Sequence, residues 1–271
     1  MAISVTSIKK GKVMEVTLNR PPVNAIDLQT SCDLFEAFQQ IQQDPEIYVG
    51  IITAAGDKIF SAGWDLKEFA ENGDTMLENA EYDLGPGGLG GMSEFWGLKK
   101  PIIAAVNGKA IGGGFEMLLS ADMIIAAEHV QFWLPEVKLG FLPDGGGLQR
   151  LPKRLPYNIA AELMLTGRRM DAQEAKHYGL VNEVVPADQL LTRAHEIAEQ
   201  IAESAPLSLQ ALKETMAAIG PLTIEQSFAK TRQTWHGNSG LPAFEAMLKS
   251  EDYLEGSRAF AEKRLPVYKG R

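Results

Sequence analysis

Residues 104–122 read AAVNGKAIGGGFEMLLSAD. An apolar run closes at Val106, three glycines stand at 112–114, and Glu116 follows among Phe115, Met117, Leu118 and Leu119, where a helix is due to begin. Glycine loses more backbone entropy on folding than any other residue, so three in succession imply that something must approach the main chain closely. The N–H groups of a helix N-terminus are one such target, because the first turn offers them no intrahelical acceptor. A carboxylate among apolar side chains needs hydrogen-bond partners or a raised pKa.

Outward from this stretch the chain alternates between two periods. Residues 12–18 (KVMEVTL), 49–53 (VGIIT), 102–106 (IIAAV) and 123–127 (MIIAA) are short, apolar and often β-branched, and read as strands. Residues 28–43 carry Leu34, Phe38 and Ile41 at helical spacing and stop before Asp44-Pro45, which predicts a helix. Strand, helix, strand in that order points to α/β layers. Beyond Pro186, Leu190, Ala194, Ile197 and Ile201, then Leu209, Leu212, Met216 and Ile219, repeat at helical spacing until Gly220-Pro221. The expected organisation is an α/β core over 1–200 and a helical region over 201–271 that packs on a partner subunit.

Composition narrows the function classes. A chain of 271 residues, 45% hydrophobic and 23% charged, suits a large globular core. With 26 Lys+Arg against 35 Asp+Glu the net charge is −9, which argues against a nucleic-acid surface but leaves room for a local basic site for an anionic ligand. No run is long enough to span a bilayer, and the first twenty residues lack the apolar stretch of a signal peptide, so no membrane association and a cytoplasmic location are expected. Cys32 alone excludes an internal disulfide and a thiolate cluster, and His129, His177, His195 and His236 lack ligand spacing, so no metal is expected.

Several motifs can be set aside. Gly85-Pro86-Gly87-Gly88-Leu89-Gly90 fits GxGxxG as a string, but the preceding EYDL (81–84) is no convincing strand and no clear helix follows, so it reads as a flexible loop. No GxxxxGK[ST] or GxSxG is present, which removes nucleotide hydrolysis and the common serine-esterase layout. The four tryptophans are scattered, as core or interface residues usually are.

Three segments remain: FSAGWDLK (60–67), GGGFE (112–116) and LPEVKLGFLPDGGG (134–147). They place Glu116, Glu136 and Asp144 in apolar, glycine-rich surroundings. Solvated surface carboxylates and functional ones both fit this pattern taken alone.

In order and spacing, FSAGWDLK, KPIIAAVNGKAIGGGFE (100–116), FWLPEVKLGFLPDGGGLQRLP (132–152) and LTGRRMDAQEAKHYGLVNEVV (165–185) resemble the enoyl-CoA hydratase/isomerase, or crotonase, superfamily, from about Ile8 to the C-terminus. GPGG (85–88), GGGFE and the tail SEDYLEGSRAFAEKRLPVYKGR (250–271) resemble its carnitinyl-CoA dehydratase branch more than its general hydratases. The resemblance implies a repeated ββα spiral core with a C-terminal helical region that builds homotrimers, often paired as a dimer of trimers. It also implies an oxyanion hole made by the backbone N–H groups of Trp64 and Gly113. Glu116 then acts mainly on the water added at C3 and Glu136 on the proton added at C2, with roles exchanged in reverse. Matched positions imply that the backbone of Ala62, Asp65 and Leu66 holds the adenine and that Lys67 meets phosphate. Phe260 and Lys263 would approach coenzyme A from a neighbouring subunit, although a solvated lysine is an equal reading of Lys263. No metal or redox cofactor is implied, and coenzyme A enters as part of the thioester substrate.

One departure from the general pattern is Asp144, where general hydratases usually have glycine. A third carboxylate suits a substrate with a quaternary ammonium at C4, helped by aromatic faces such as Trp64, Phe115 or Trp133. A structural alternative is that Asp144 caps the turn before Gly145. Three readings follow: a hydro-lyase interconverting crotonobetainyl-CoA and L-carnitinyl-CoA, a broader enoyl-CoA hydratase or isomerase, and a non-catalytic acyl-CoA-binding subunit. Retention of both glutamates speaks against the last.

Overall fold

Helix α1 (Leu28–Gln43) starts where the sequence supplies a cap, the Asp27 carboxylate accepting from the Thr30 amide at 2.7 Å. Its far end is closed from outside, by the Lys100 ammonium donating to the Ile41 and Asp44 carbonyls at 2.9 and 2.6 Å. Leu34, Phe38 and Ile41 are fully buried on one face, each side chain stabilising the fold by about 1.5–3 kcal/mol. The structure, a computed structural model, describes residues 4–71, 84–237 and 240–271.

The strands are β1 (Val5–Lys10), β2 (Val13–Leu18), β3 (Ala25–Ile26), β4 (Val49–Ala54), β5 (Ile59–Ser61), β6 (Gly63–Trp64), β7 (Ile102–Val106), β8 (Lys109–Ile111), β9 (Met123–Ala127), β10 (Gln131–Trp133), β11 (Met170–Asp171) and β12 (Glu183–Val185). A six-stranded sheet runs β1-β2-β4-β7-β9-β12, antiparallel only at its first pair. Every residue of β7 is fully buried, which explains why that strand reads as a continuous apolar run. A four-stranded sheet, β11-β10-β8-β5, and the short parallel pair β3-β6 stand beside it. The sharp connection from β8 into the short helix α2 (Gly113–Leu118) is what the triple glycine permits.

Helices α3 (Gly147–Arg154), α4 (Tyr157–Thr166) and α5 (Ala172–His177) follow. Helix α6 (Leu190–Ala202) lays Leu190, Ala194 and Ala198 against the large sheet, and the main core ends with it. Helices α7 (Pro206–Ile219), α8 (Ile224–Thr234), α9 (Pro242–Lys249) and α10 (Asp252–Ala261) form the C-terminal region. Glu214 ties it inward, pairing with Lys99 at 2.6 Å while accepting the first amides of α9, Ala243 and Phe244, at 2.7 and 3.2 Å. Leu212, Met216, Ile224, Phe228 and Trp235 remain exposed on this region.

The predicted helix over 28–43 and the strands over 102–106 and 123–127 match the structure, and the first expected strand begins one residue later, at Val13. The glycine-rich 85–90 segment differs from its reading as a flexible loop. Residues 87–92 are buried, and a Cβ on Gly87, Gly90 or Gly91 would meet Phe35, Met117 or the α1 backbone at 2.3–2.7 Å. Its glycines serve close packing between α1 and α2; residues 81–83 before it lie outside the described residues. Among the described residues no helix is long and apolar enough to cross a membrane.

Candidate active site

Each of the three glycines opening α2 has its own reason. Gly112 has φ +51, a region glycine enters freely, and a Cβ on it would stand 2.6 Å from Glu136 Oε1. A Cβ on Gly113 would meet the Leu89 side chain at 2.8 Å and the Trp64 amide nitrogen at 3.3 Å. One on Gly114 would strike the Ser61 carbonyl at 2.7 Å. Gly63, at φ +83, completes the fit, since its own Cβ would lie 2.8 Å from the Gly113 nitrogen. The main chains of β6 and α2 therefore touch, and the amides of Trp64 and Gly113 border one spot. Phe115 and Glu116 both donate to the Gly112 carbonyl, at 2.8 and 3.0 Å, so the Gly113 amide precedes the first intrahelical hydrogen bond.

Glu116 is 3% exposed, one turn into α2. Its Oε1 accepts from the Gly147 amide at 2.9 Å, and Gly145 and Gly147 come so close that a Cβ on either would stand 3.2 Å from its carboxylate oxygens. Burial pushes its pKa up to about 8; the charges of Glu136 and Asp144 add to the rise, while the Gly147 and Gly145 amides oppose it.

Glu136 follows Pro135 at the start of a short 3-10 turn, Glu136–Leu139. The β8–β10 ladder brings it over Gly112, whose amide donates to the Trp133 carbonyl at 3.0 Å. Its Oε2 is buried with no hydrogen-bond partner among the described residues. Burial, then the charge of Asp144, raises its pKa, while its own backbone amide opposes the rise. Two carboxyls thus face one small space, and Asp144 disfavours ionisation of both. Asp144 is exposed; its carboxylate accepts no hydrogen bond among the described residues, and only its carbonyl is used, by Gln149 Nε2 at 3.2 Å. The turn-capping role therefore does not hold.

Ala62 lies just before β6 and Asp65, Leu66 and Lys67 just after it, and the Ala62 and Asp65 amides donate to the Val23 and Ile26 carbonyls at 3.0 and 2.9 Å. Arg20 bridges the carboxylates of Asp65 and Asp27 at 2.8 and 2.7 Å, so the Asp65 side chain braces the loop. Leu66 and Lys67 are exposed. Phe260 is 87% exposed on α10, and Lys263, at φ +55, lies just past that helix. Among the described residues no hydrogen bond, ion pair or ring contact links either to the 62–67 loop.

The aromatic faces suggested for an ammonium group are fewer than expected. Phe115 is fully buried against Phe132, with ring centroids 5.2 Å apart, and Trp133 already carries the Arg169 guanidinium at 4.7 Å. Trp64 is half-buried. Three residues escaped the sequence reading: Gly145 and Gly147, which hold Glu116, and Leu89, whose side chain lies 2.4 Å from a Cβ on Gly145 as well as 2.8 Å from one on Gly113. The signal for Leu89 was its run of glycines, as dense as that at 112–114.

Among the described residues no group of three or more His, Cys, Asp or Glu is placed to hold a metal ion. The chain matches the Enoyl-CoA hydratase/isomerase family over residues 8–271. It is 49% identical to a carnitinyl-CoA dehydratase of Salmonella typhi over 271 residues, all of both chains, and 48% identical over the same length to one of Citrobacter koseri. Among solved structures it resembles an enoyl-CoA hydratase from Mycobacterium tuberculosis H37Rv, with TM-score 0.86, 36% identity and 99% of each chain covered. An enoyl-CoA hydratase from Bacillus anthracis gives TM-score 0.86 and 36% identity over 99% of this chain and 100% of that one.

Proposed function

The chain belongs to the enoyl-CoA hydratase/isomerase family, and from that premise we propose that it is a hydro-lyase which reversibly adds water across the C2–C3 double bond of crotonobetainyl-CoA to give L-carnitinyl-CoA. The observation that carries the chemistry is the convergence of two carboxyls, buried Glu116 and half-buried Glu136, beside the paired amides of Trp64 and Gly113. Full-length identity of 49% to a carnitinyl-CoA dehydratase supports the choice of substrate.

In hydration, water attacks C3 while Glu116 takes its proton, and Glu136 delivers a proton to C2. Dehydration reverses both transfers: Glu136 removes the C2 proton and Glu116 protonates the departing hydroxyl. The pair carries one proton before and after each turnover, because one glutamate gives up a proton as the other takes one. Negative charge passes onto the thioester oxygen, where the Trp64 and Gly113 amides stabilise the enolate-like state more than the substrate. Losing one such donor costs about 3 kcal/mol of that stabilisation. The scheme asks for no cofactor beyond the coenzyme A of the substrate. The loop Ala62–Lys67 receives the adenine and a phosphate, with Phe260 and Lys263 of a neighbouring copy closing over it in a homotrimer or a dimer of trimers, consistent with the exposed apolar side chains of the C-terminal region.

The charge of the site favours a cationic acyl group. Asp144 has no hydrogen-bonded partner for its carboxylate among the described residues and raises the pKa of both glutamates, so a trimethylammonium at C4 relieves a repulsion that a methyl group leaves in place. The test is the hydration rate of crotonobetainyl-CoA beside crotonyl-CoA, followed by loss of the conjugated thioester absorbance, with Glu136→Gln as the control. A large kcat/KM preference for the trimethylammonium substrate is expected. Faster turnover of crotonyl-CoA would make this a general enoyl-CoA hydratase.

A further inference from the structure

Glu136 presents a mechanical problem. Its Oε2 has no hydrogen-bond partner among the described residues, its own backbone amide meets the carboxylate, and Oε1 rests over Gly112, so little outside residue 136 holds the side chain. The carboxyl is placed by the backbone of residues 133–138. One side of that backbone is fixed by the ladder bond from Gly112 to Trp133. The other side is met by Gly167-Arg168-Arg169, a stretch the reaction scheme does not use.

Four contacts converge there. Gly167, the α4 C-cap at φ +57, packs so that its Cβ would lie 3.2 Å from the Leu134 carbonyl and 3.4 Å from Pro135 Cα. Lys138 Nζ donates to the Gly167 carbonyl at 3.4 Å. The Arg169 guanidinium covers the Trp133 indole at 4.7 Å from its centroid. Arg168 anchors the stretch from behind, donating to Glu174 at 2.7 and 3.0 Å and to Glu162 at 2.9 Å. Met170, fully buried, then pairs with Phe132 in the β10–β11 ladder.

We propose that Gly167-Arg168-Arg169 is a positioning clamp for Glu136, with Arg169 on Trp133 and Gly167 on Pro135 fixing the backbone from which the carboxyl projects. The inference rests on the proposed role of Glu136 as the group that moves the C2 proton. Among the described residues Arg169 makes no ion pair with the Glu136 carboxyl; it acts through Trp133. Loosening the clamp lets Glu136 drift toward solvent, and since burial is the main cause of its raised pKa, that pKa then falls. The other charges that bear on this pair of carboxyls, Glu116 and Asp144, lie outside the clamp and stay in place.

The test compares Arg169→Ala and Arg169→Lys with the unaltered chain in steady-state dehydration and hydration across pH, together with Tm. For Arg169→Ala the expected result is a fall of about tenfold in kcat with KM within about twofold, as loss of alignment predicts. The acidic limb of the dehydration profile, which reports Glu136, moves to lower pH while the basic limb stays. Arg169→Lys, which keeps a cation over the ring, recovers most of the rate. A kcat within about twofold of the unaltered chain, or a fall matched by lower Tm with both limbs unmoved, would overturn the clamp. Absence of turnover in the unaltered chain would instead overturn the reaction itself, which separates the two failures.

Discussion

The Glu136 carboxylate occupies the place that a side chain on Gly112 would take, its Oε1 lying 2.6 Å from the position of the missing Cβ. The residue that opens α2 and the residue proposed to move the C2 proton are thus sterically exclusive. Gly112→Ala must also hold φ +51 with ψ −129, outside the left-handed α region, which costs an L-residue about 1–3 kcal/mol. The expected outcome is loss of that much stability in urea titration and a fall in kcat of at least about tenfold, larger than the stability loss explains at saturating native fraction. Activity near that of the unaltered chain would mean that Glu136 does not work from this position.

In the proposed scheme dehydration needs Glu116 protonated and Glu136 ionised. Burial holds Glu116 at about 8, so kcat/KM for dehydration declines as pH rises through about 8, and the acidic limb reports Glu136. The same shift has a stability sign. Between the ordinary value of 4.5 and about 8 the folded chain retains a proton that the unfolded chain has lost, so this group makes stability fall with rising pH across that window. Glu116→Gln removes that contribution. Thermal unfolding at about pH 5 and about pH 8.5 should show a smaller decline for the variant than for the unaltered chain, and an equal decline would contradict the buried, protonated carboxyl.

Leu89 is wedged between the Gly113 and Gly145 backbones, at the spot bordered by the Trp64 amide and the Glu116 carboxylate. Replacing it with alanine opens space on the acyl side of both groups. Leu89→Ala is expected to cost about 2–3 kcal/mol of stability and to improve kcat/KM for longer enoyl chains relative to four-carbon ones. A variant that keeps the chain-length preference of the unaltered protein would show that the acyl group leaves the site in another direction.

Local rules account for what was legible beforehand. The Leu34-Phe38-Ile41 stripe and the Asp44-Pro45 stop mark α1 within the sequence, and the apolar runs at 102–106 and 123–127 mark two central strands. Glu116 could be suspected because apolar neighbours and a helix start make a carboxylate expensive there. What escaped was contact between distant segments. That Leu89 meets Gly113, that Gly147 donates to Glu116 and that Gly167 backs Pro135 depends on chain crossings that no local period encodes. The glycine-rich 85–90 segment misled for the same reason: glycine serves a flexible loop and a tightly packed one alike, and only the neighbours decide.

Asp144 provides the sharpest test of substrate choice. It is exposed, its carboxylate accepts no hydrogen bond among the described residues, and its charge is felt by both glutamates, so it lies toward the reacting groups without serving the turn. An isosteric Asp144→Asn removes the charge and keeps the shape. If Asp144 meets the trimethylammonium group, kcat/KM for crotonobetainyl-CoA falls by about tenfold, the scale of about 1.4 kcal/mol, while that for crotonyl-CoA holds or rises. Relief of the repulsion acts on both substrates, because each glutamate then ionises more easily and its limb of the pH profile moves to lower pH. Selectivity and pH profile therefore separate two roles that a single rate would confuse. A shift in the limbs with no change in the ratio of the two kcat/KM values would assign Asp144 to tuning the carboxyl pair and leave the ammonium group to be recognised elsewhere.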